Sequence, residues 1–268
     1  MEQILITGLD GSGKSAVLSA IEMSKVNGTF DIIRVPQMDA GDFKDSPELA
    51  NAVLFVNRLN QMADHKNLPH FKAIALFSSM LLFRKLVDYK SKPTIKRLFL
   101  ERHPLIDTGV YALFYADKMN TYRSQGKGLK DINKQYVKEL KFIIDLIPEN
   151  LLKNKTPELG CLISFIYQHF FVGEKKDIES LKDLFCIDLP EKIYYLKASP
   201  DILMHRLQGR KIYEAHESLS VLARLGMAYD SLFTDLKTRQ HVMPEIIDVN
   251  SIKKLDHFKQ FMESEYIR

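Results

Sequence analysis

Apolar and polar positions alternate along the chain in blocks of two kinds. Short, nearly continuous apolar runs appear at Gln3–Thr7, Phe30–Val35 (FDIIRV), Ile95–Leu100 (IKRLFL), Glu191–Lys197 (EKIYYLK) and Glu245–Val249 (EIIDV). Runs of that length and continuity suit strands buried on both faces. Between them lie stretches with helical spacing: Lys14–Lys25, a long mostly apolar segment at His70–Tyr89, Asp107–Met119, and a stripe of Leu219, Leu222, Leu225, Tyr229, Leu232 and Leu236. Lys254–Ile267 closes the pattern as a last helix. Ser46-Pro47-Glu48 and Ser199-Pro200-Asp201 each place a capping residue, a proline and an acid where a helix would start. The first of these opens a helix that runs to about His65.

Strands separated by helices imply right-handed crossovers, and hence a central five-stranded parallel sheet with helices on both faces. The expectation is a three-layer α/β/α fold in one domain, 1–268. Residues from about 126 to 190 stand apart. Val137, Leu140, Ile144 and Ile147 mark one amphipathic helix, Thr156-Pro157-Glu158 begins another, and no strand is expected there. That stretch reads as a helical insertion.

Composition narrows the class. The chain is 46% hydrophobic and 27% charged with a formal charge of +4, values that suit a globular protein with a sizeable core. The basic residues are scattered, which points to a small anionic ligand and away from nucleic acid. Cys161 and Cys186 lie in no metal-ligand spacing and read as idle or buried thiols. The longest nearly apolar stretch, Leu159–Phe171, is interrupted by Ser164, Gln168 and His169 and is too short to span a bilayer. These features predict a soluble, cytoplasmic protein.

The chemistry is concentrated after the first strand. Gly8-x4-Gly13-Lys14-Ser15 matches the P-loop pattern, with a strand before it and a helix after it. Glycines let the backbone curl so that amide groups face phosphate oxygens, and the following helix adds its positive end. Asp10, Gly11, Ser12, Gly13, Lys14, Ser15 and Ala16 are the expected nucleotide-triphosphate-binding residues, a loop that GTPase switches, ATPase motors and small-molecule kinases share. Lys14 reaches the outer phosphates, and Ser15 is an expected Mg²⁺ ligand. Glu101 ends an apolar strand, where a carboxylate can hold Mg²⁺ directly or through water. Arg34 also ends a strand, at the ligand edge of a parallel sheet, and a guanidinium can grip a phosphate with two hydrogen bonds. Arg102 stands beside Glu101. Arg206 and Arg210 lie four apart on one helix face. The loop itself carries no arginine, so one of these two is the expected source of transition-state charge.

Leu9-Asp10-Gly11-Ser12-Gly13-Lys14-Ser15 resembles the D-G-x-G-K-[ST] loop of thymidylate kinases. Arg34-Val35-Pro36 resembles that family's R-E-P segment, and the helix containing Leu82-Phe83-Arg84 resembles one carrying a substrate-facing arginine. Glu101-Arg102-His103 sits where the family has D-R-[YHS] and where deoxynucleoside kinases have E-R-S. Ile193–Arg210 is similar to the family's strand, turn and arginine-bearing lid, which places the lid at about 203–217. Tyr111 matches a family tyrosine near the substrate. The resemblance implies phosphoryl transfer from ATP, with Mg²⁺, to a nucleoside monophosphate or a related nucleoside acceptor. It makes Asp10, Arg34, Arg84, Arg102 and Tyr111 substrate-binding, and Lys14, Arg102 and Arg206 or Arg210 catalytic.

Two departures bear on the acceptor. Val35 stands where R-E-P has its glutamate, and Ala112 where thymidylate kinases have a base-reading glutamine. In deoxynucleoside kinases a glutamate at the first position activates the sugar hydroxyl; a monophosphate is already anionic and needs no such base. Losing it while keeping Arg34 favours a monophosphate acceptor, unless Asp10, Asp39 or Glu101 acts as base. The roughly 90 residues between the third and fourth strands exceed the family's usual spacing; the extra helices would reshape the acceptor pocket or form a homodimer interface. The alternatives are a deoxynucleoside kinase or a kinase for an unrelated small alcohol, and a catalytically degenerate nucleotide-binding protein acting on a protein partner. A switch GTPase is disfavoured because no N-K-x-D motif occurs.

Overall fold

A computed structural model describes residues 1–24, 28–66, 69–119, 129–172, 177–208 and 218–267. The chain divides into two units, one formed by Met1–Arg34, Lys90–His103 and Leu189–Arg268, the other by Val35–Tyr89 and Pro104–Asp188.

The first unit holds all five strands: β1 (Glu2–Gly8), β2 (Phe30–Arg34), β3 (Arg97–Glu101), β4 (Lys192–Lys197) and β5 (Glu245–Asp248). They form one sheet in the order β2-β3-β1-β4-β5, and every neighbouring pair is parallel. β1 lies at the centre, and Ile4, Leu5 and Ile6 are completely buried, which is why this strand reads as a continuous apolar run and not as an alternating one. On one face, Ile4, Ile6, Phe99 and Tyr194 pack against α1 (Lys14–Met23) and α11 (Ile252–Tyr266). Phe99 meets Phe30 and Tyr266 edge-on, with ring centroids 5.6 and 5.8 Å apart. On the other face Tyr195 stacks on Tyr229 and packs on Phe233 of α10 (Leu219–Asp235). The three-layer, five-stranded parallel architecture expected from the sequence is therefore present.

The second unit is helical. It holds most of α2 and α3 (Pro47–Lys66 and Pro69–Lys90) together with α4 (Pro104–Met119), α5 (Leu129–Gln135), α6 (Val137–Asp145), α7 (Leu159–Ile166) and α8 (Ile178–Phe185). A π-helical turn, Tyr167–Val172, follows α7. Phe77, Met80 and Phe83 of α3 are buried, and Phe77 lies within 6.1 Å of the rings of Phe165, Phe170 and Phe185. These side chains are core.

Several local expectations shift. α4 begins at Pro104 and not at Asp107, because proline fits the first helical position, where no amide is needed. Ser199 does precede α9 (Pro200–Leu207), yet its side chain makes no cap; its backbone N–H instead donates to Asn250 Oδ1 at 2.8 Å. Leu219 of the α10 stripe is exposed. Both cysteines are free thiols, Cys186 exposed and Cys161 half-buried. Among the described residues no helix is long and apolar enough to cross a membrane.

Candidate phosphate-binding site

The site begins where β1 runs out. Gly8 has φ 149°, and a β-carbon there would lie 2.6 Å from the carbonyl oxygen of Leu196 on β4. Backbone cannot yield as a side chain can, so only glycine lets β1 leave the sheet at this point. Gly13, at φ 99°, is the N-cap of α1. No side chain caps that helix and no acid occupies its first turn. Its leading amides are therefore not taken by a capping side chain, and the helix dipole presents positive potential there.

Within the loop, the Leu9 carbonyl is a shared acceptor. It takes the Ser12 amide at 3.1 Å and Lys14 Nζ at 3.1 Å. Lys14 is 4% exposed, and its ammonium also lies 3.5 Å from Asp10 Oδ1. The same Asp10 oxygen accepts Arg102 Nη2 at 2.8 Å. One carboxylate thus stands between two buried cations. Arg102 reaches this position from a left-handed backbone, φ 69°. That conformation is uncommon outside glycine and often marks a functional turn.

Ser15 Oγ donates to Glu101 Oε1 at 2.9 Å. Glu101 is the last residue of β3, in register with Ile6 of β1 and Arg34 of β2. A hydroxyl and a carboxylate oxygen side by side are hard oxygen donors of the kind Mg²⁺ prefers, with water and phosphate completing its shell. Among the described residues no group of three His, Cys, Asp or Glu forms a self-sufficient metal cage. Ser15 and Ala16 are exposed. His103, two residues beyond Glu101, is fully buried, and burial holds its pKa at about 3, so the ring is neutral.

The other expected residues are placed as follows. Arg34 is held on the α1 side of the sheet, where Nη2 donates to Glu22 Oε2 at 2.9 Å. Arg206 Nη1 donates to the Gly11 carbonyl at 3.3 Å and Nη2 to the Val249 carbonyl at 2.7 Å. Arg84 and Tyr111 belong to the helical unit. Arg84 donates to the Cys186 carbonyl at 3.2 Å and lies 3.9 Å from Asp88; Tyr111 is buried. Arg210 and residues 209–217 of the expected lid lie outside the described residues. The structure thus brings Asp10, Lys14, Ser15, Glu101, Arg102 and Arg206 together around one loop. Sequence reading missed Glu22, twelve residues from Arg34 on a different element, and the carbonyls of Leu9, Gly11 and Val249, which carry no residue-type signal.

No protein-family model matches the sequence, and no curated protein matches it. Solved structures do. A thymidylate kinase from Candida albicans is 16% identical, with 99% of this chain and 92% of that chain covered and a TM-score of 0.50. A deoxyadenosine kinase from M. mycoides, with bound dATP, is 12% identical, with 98% and 100% covered and a TM-score of 0.48. The strand order, the loop after β1 and the near full-length superposition on the Candida albicans enzyme agree: this chain has the P-loop kinase fold of thymidylate kinase.

Proposed function

We propose that the chain is an ATP- and Mg²⁺-dependent phosphotransferase that passes the γ-phosphoryl group of ATP to a nucleoside monophosphate. The observation that carries this reading is the Ser15–Glu101 contact of 2.9 Å at the mouth of the loop that seats Lys14. A bare anion site would need only the loop; a hydroxyl and a carboxylate paired beside it fit a metal–nucleotide complex.

In this reading the loop amides and Lys14 hold the β- and γ-phosphates. Ser15 and Glu101 hold Mg²⁺, which neutralises phosphate charge when bound. Arg102, buried and steadied by Asp10, orients the phosphoryl groups by charge-assisted hydrogen bonds. The acceptor follows from the carboxylates. Val35 is a buried apolar residue, Asp10 is engaged by two cations, Glu101 by Ser15, and Asp39 by the Gly41 N–H, which it accepts at 2.8 Å. A sugar hydroxyl needs a base, whereas a monophosphate oxygen does not. The helices between about 126 and 190 are an insertion on this kinase domain.

Phosphotransfer from Mg-ATP to a panel of nucleosides and nucleoside monophosphates tests the reading. Transfer to a monophosphate, lost by about 100-fold or more in Lys14→Ala, is expected. Transfer to nucleosides alone would move the chain to the nucleoside-kinase alternative, and full turnover by Lys14→Ala would sink the mechanism.

A further inference from the structure

Arg206 does not point a free charge at the loop. Its two terminal nitrogens are committed to carbonyls on two separate loops, Gly11 after β1 and Val249 after β5. We infer that Arg206 is a positioning residue for the phosphate loop, fixing the Gly11–Ser12 peptide and through it the seat of Lys14.

The chain of contacts is continuous. Arg206 holds the oxygen of the Gly11–Ser12 peptide at 3.3 Å, and the N–H of that same peptide donates to the Leu9 carbonyl at 3.1 Å. Oxygen and N–H lie on opposite edges of a planar trans peptide, so a peptide tied at both edges cannot rotate. The Leu9 carbonyl it meets is the one that accepts Lys14 Nζ. Gly11, at φ 82°, has no β-carbon to restrict it, so an external tie is what selects one orientation. α9 is fitted for that task. A β-carbon on Gly11 would come 3.1 Å from the Leu203 carbonyl and 3.3 Å from Leu207 Cγ, so the helix lies directly against the loop. The other end of α9 is tied to the loop after β5 by the Ser199 amide on Asn250 Oδ1. α9 is thus laced at both ends, and Arg206 is the tie that reaches the phosphate loop. Only the planar fork of arginine offers two divergent, directed donors; a lysine ammonium supplies charge without that geometry.

The inference rests on the phosphate-binding reading above, and the test separates the two. The full chain and its Arg206→Lys and Arg206→Gln variants are titrated calorimetrically with Mg-ADP and with tripolyphosphate, which has no base to stack. Kinetics with ATP and thermal melting are measured alongside. Both variants are expected to lose about tenfold in affinity for both ligands, with KM for ATP rising to match, kcat falling by no more than the affinity, and lysine giving no rescue. Wild-type affinity for tripolyphosphate in the variants overturns the inference. So does a large kcat loss at unchanged ADP affinity that lysine restores, the signature of a residue delivering charge. A variant that loses the fold outright also overturns it, because a tie on one loop does not hold up the domain. If the wild-type chain binds neither ligand, the phosphate-site reading falls and this inference falls with it.

Discussion

Replacing Gly13 with alanine separates two penalties that the structure superimposes at one residue. The backbone there has φ 99° and ψ 12°, where a β-carbon costs about 1–2 kcal/mol. The added methyl would also stand 2.7 and 2.9 Å from the two Cδ atoms of Leu255. Leu255 belongs to the core of α1, α11 and the sheet and is 9% exposed, so moving it overpacks that core by about 1–3 kcal/mol. Gly13→Ala should therefore lower unfolding free energy by about 2–5 kcal/mol. Leu255→Ala alone should cost about 2–5 kcal/mol through its cavity. In the double variant the new methyl enters the space Leu255 leaves, so the steric part vanishes and the backbone part stays. The two changes should then couple favourably by about 1–3 kcal/mol, measured by urea unfolding in a double-mutant cycle. Additivity to within about 0.5 kcal/mol would show that Leu255 does not close over the loop and would refute the packing argument.

Three further outcomes are expected. Asp10→Asn removes the carboxylate between Arg102 and Lys14, at 2.8 and 3.5 Å, and should cost about 1.5–3 kcal/mol by chemical denaturation. Tyr266→Phe removes the hydroxyl that meets Tyr194 at 2.7 Å and Lys192 at 2.9 Å. Stability should fall by about 1–2 kcal/mol, and the Lys192 pKa, raised chiefly by that hydrogen bond, should drop back in an NMR titration. His103 and His70 are held by burial at pKa values of about 3 and about 4, below the ordinary 6.5. The unfolded chain takes up these protons first, so stability is full above pH 6.5 and falls as pH drops toward those values, by about 1.4 kcal/mol per pH unit for each histidine. Urea midpoints measured between pH 7.5 and 4.5 should show this slope, and His103→Gln should roughly halve it, leaving the share of His70.

The sequence made the strand–loop–helix of residues 2–23 legible because everything that defines it is contiguous: an apolar run, spaced glycines, then a helical stripe. The five strands were legible for the same reason. Which strands pair was not, because β1 chooses β3 and β4 through packing across the sheet and no local pattern encodes it. Ser15 and Glu101 could each be singled out by position after a strand. Arg34 and Arg206 could be singled out as arginines, but not their partners, since Glu22 and the carbonyls of Gly11 and Val249 are reached only in three dimensions. Ser199 shows the same limit at a helix start. The Ser-Pro-Asp signature placed α9 correctly, while the tie at its first residue comes from Asn250, far along the chain.

The central place of β1 has a consequence for how this protein emerges from the ribosome. Glu2 pairs with Arg97 and Ile4 with Lys192. At about 5–20 residues per second, the first strand waits about 5–20 s for one neighbour and about 10–40 s for the other. Throughout that interval Ile4-Leu5-Ile6 has apolar side chains and unsatisfied backbone on offer, and a strand in that condition is prone to pair with the wrong chain. The loop after β1 is made well before it can be shaped, because the β4 carbonyl that crowds Gly8 and the helix that ties Gly11 both come much later along the chain.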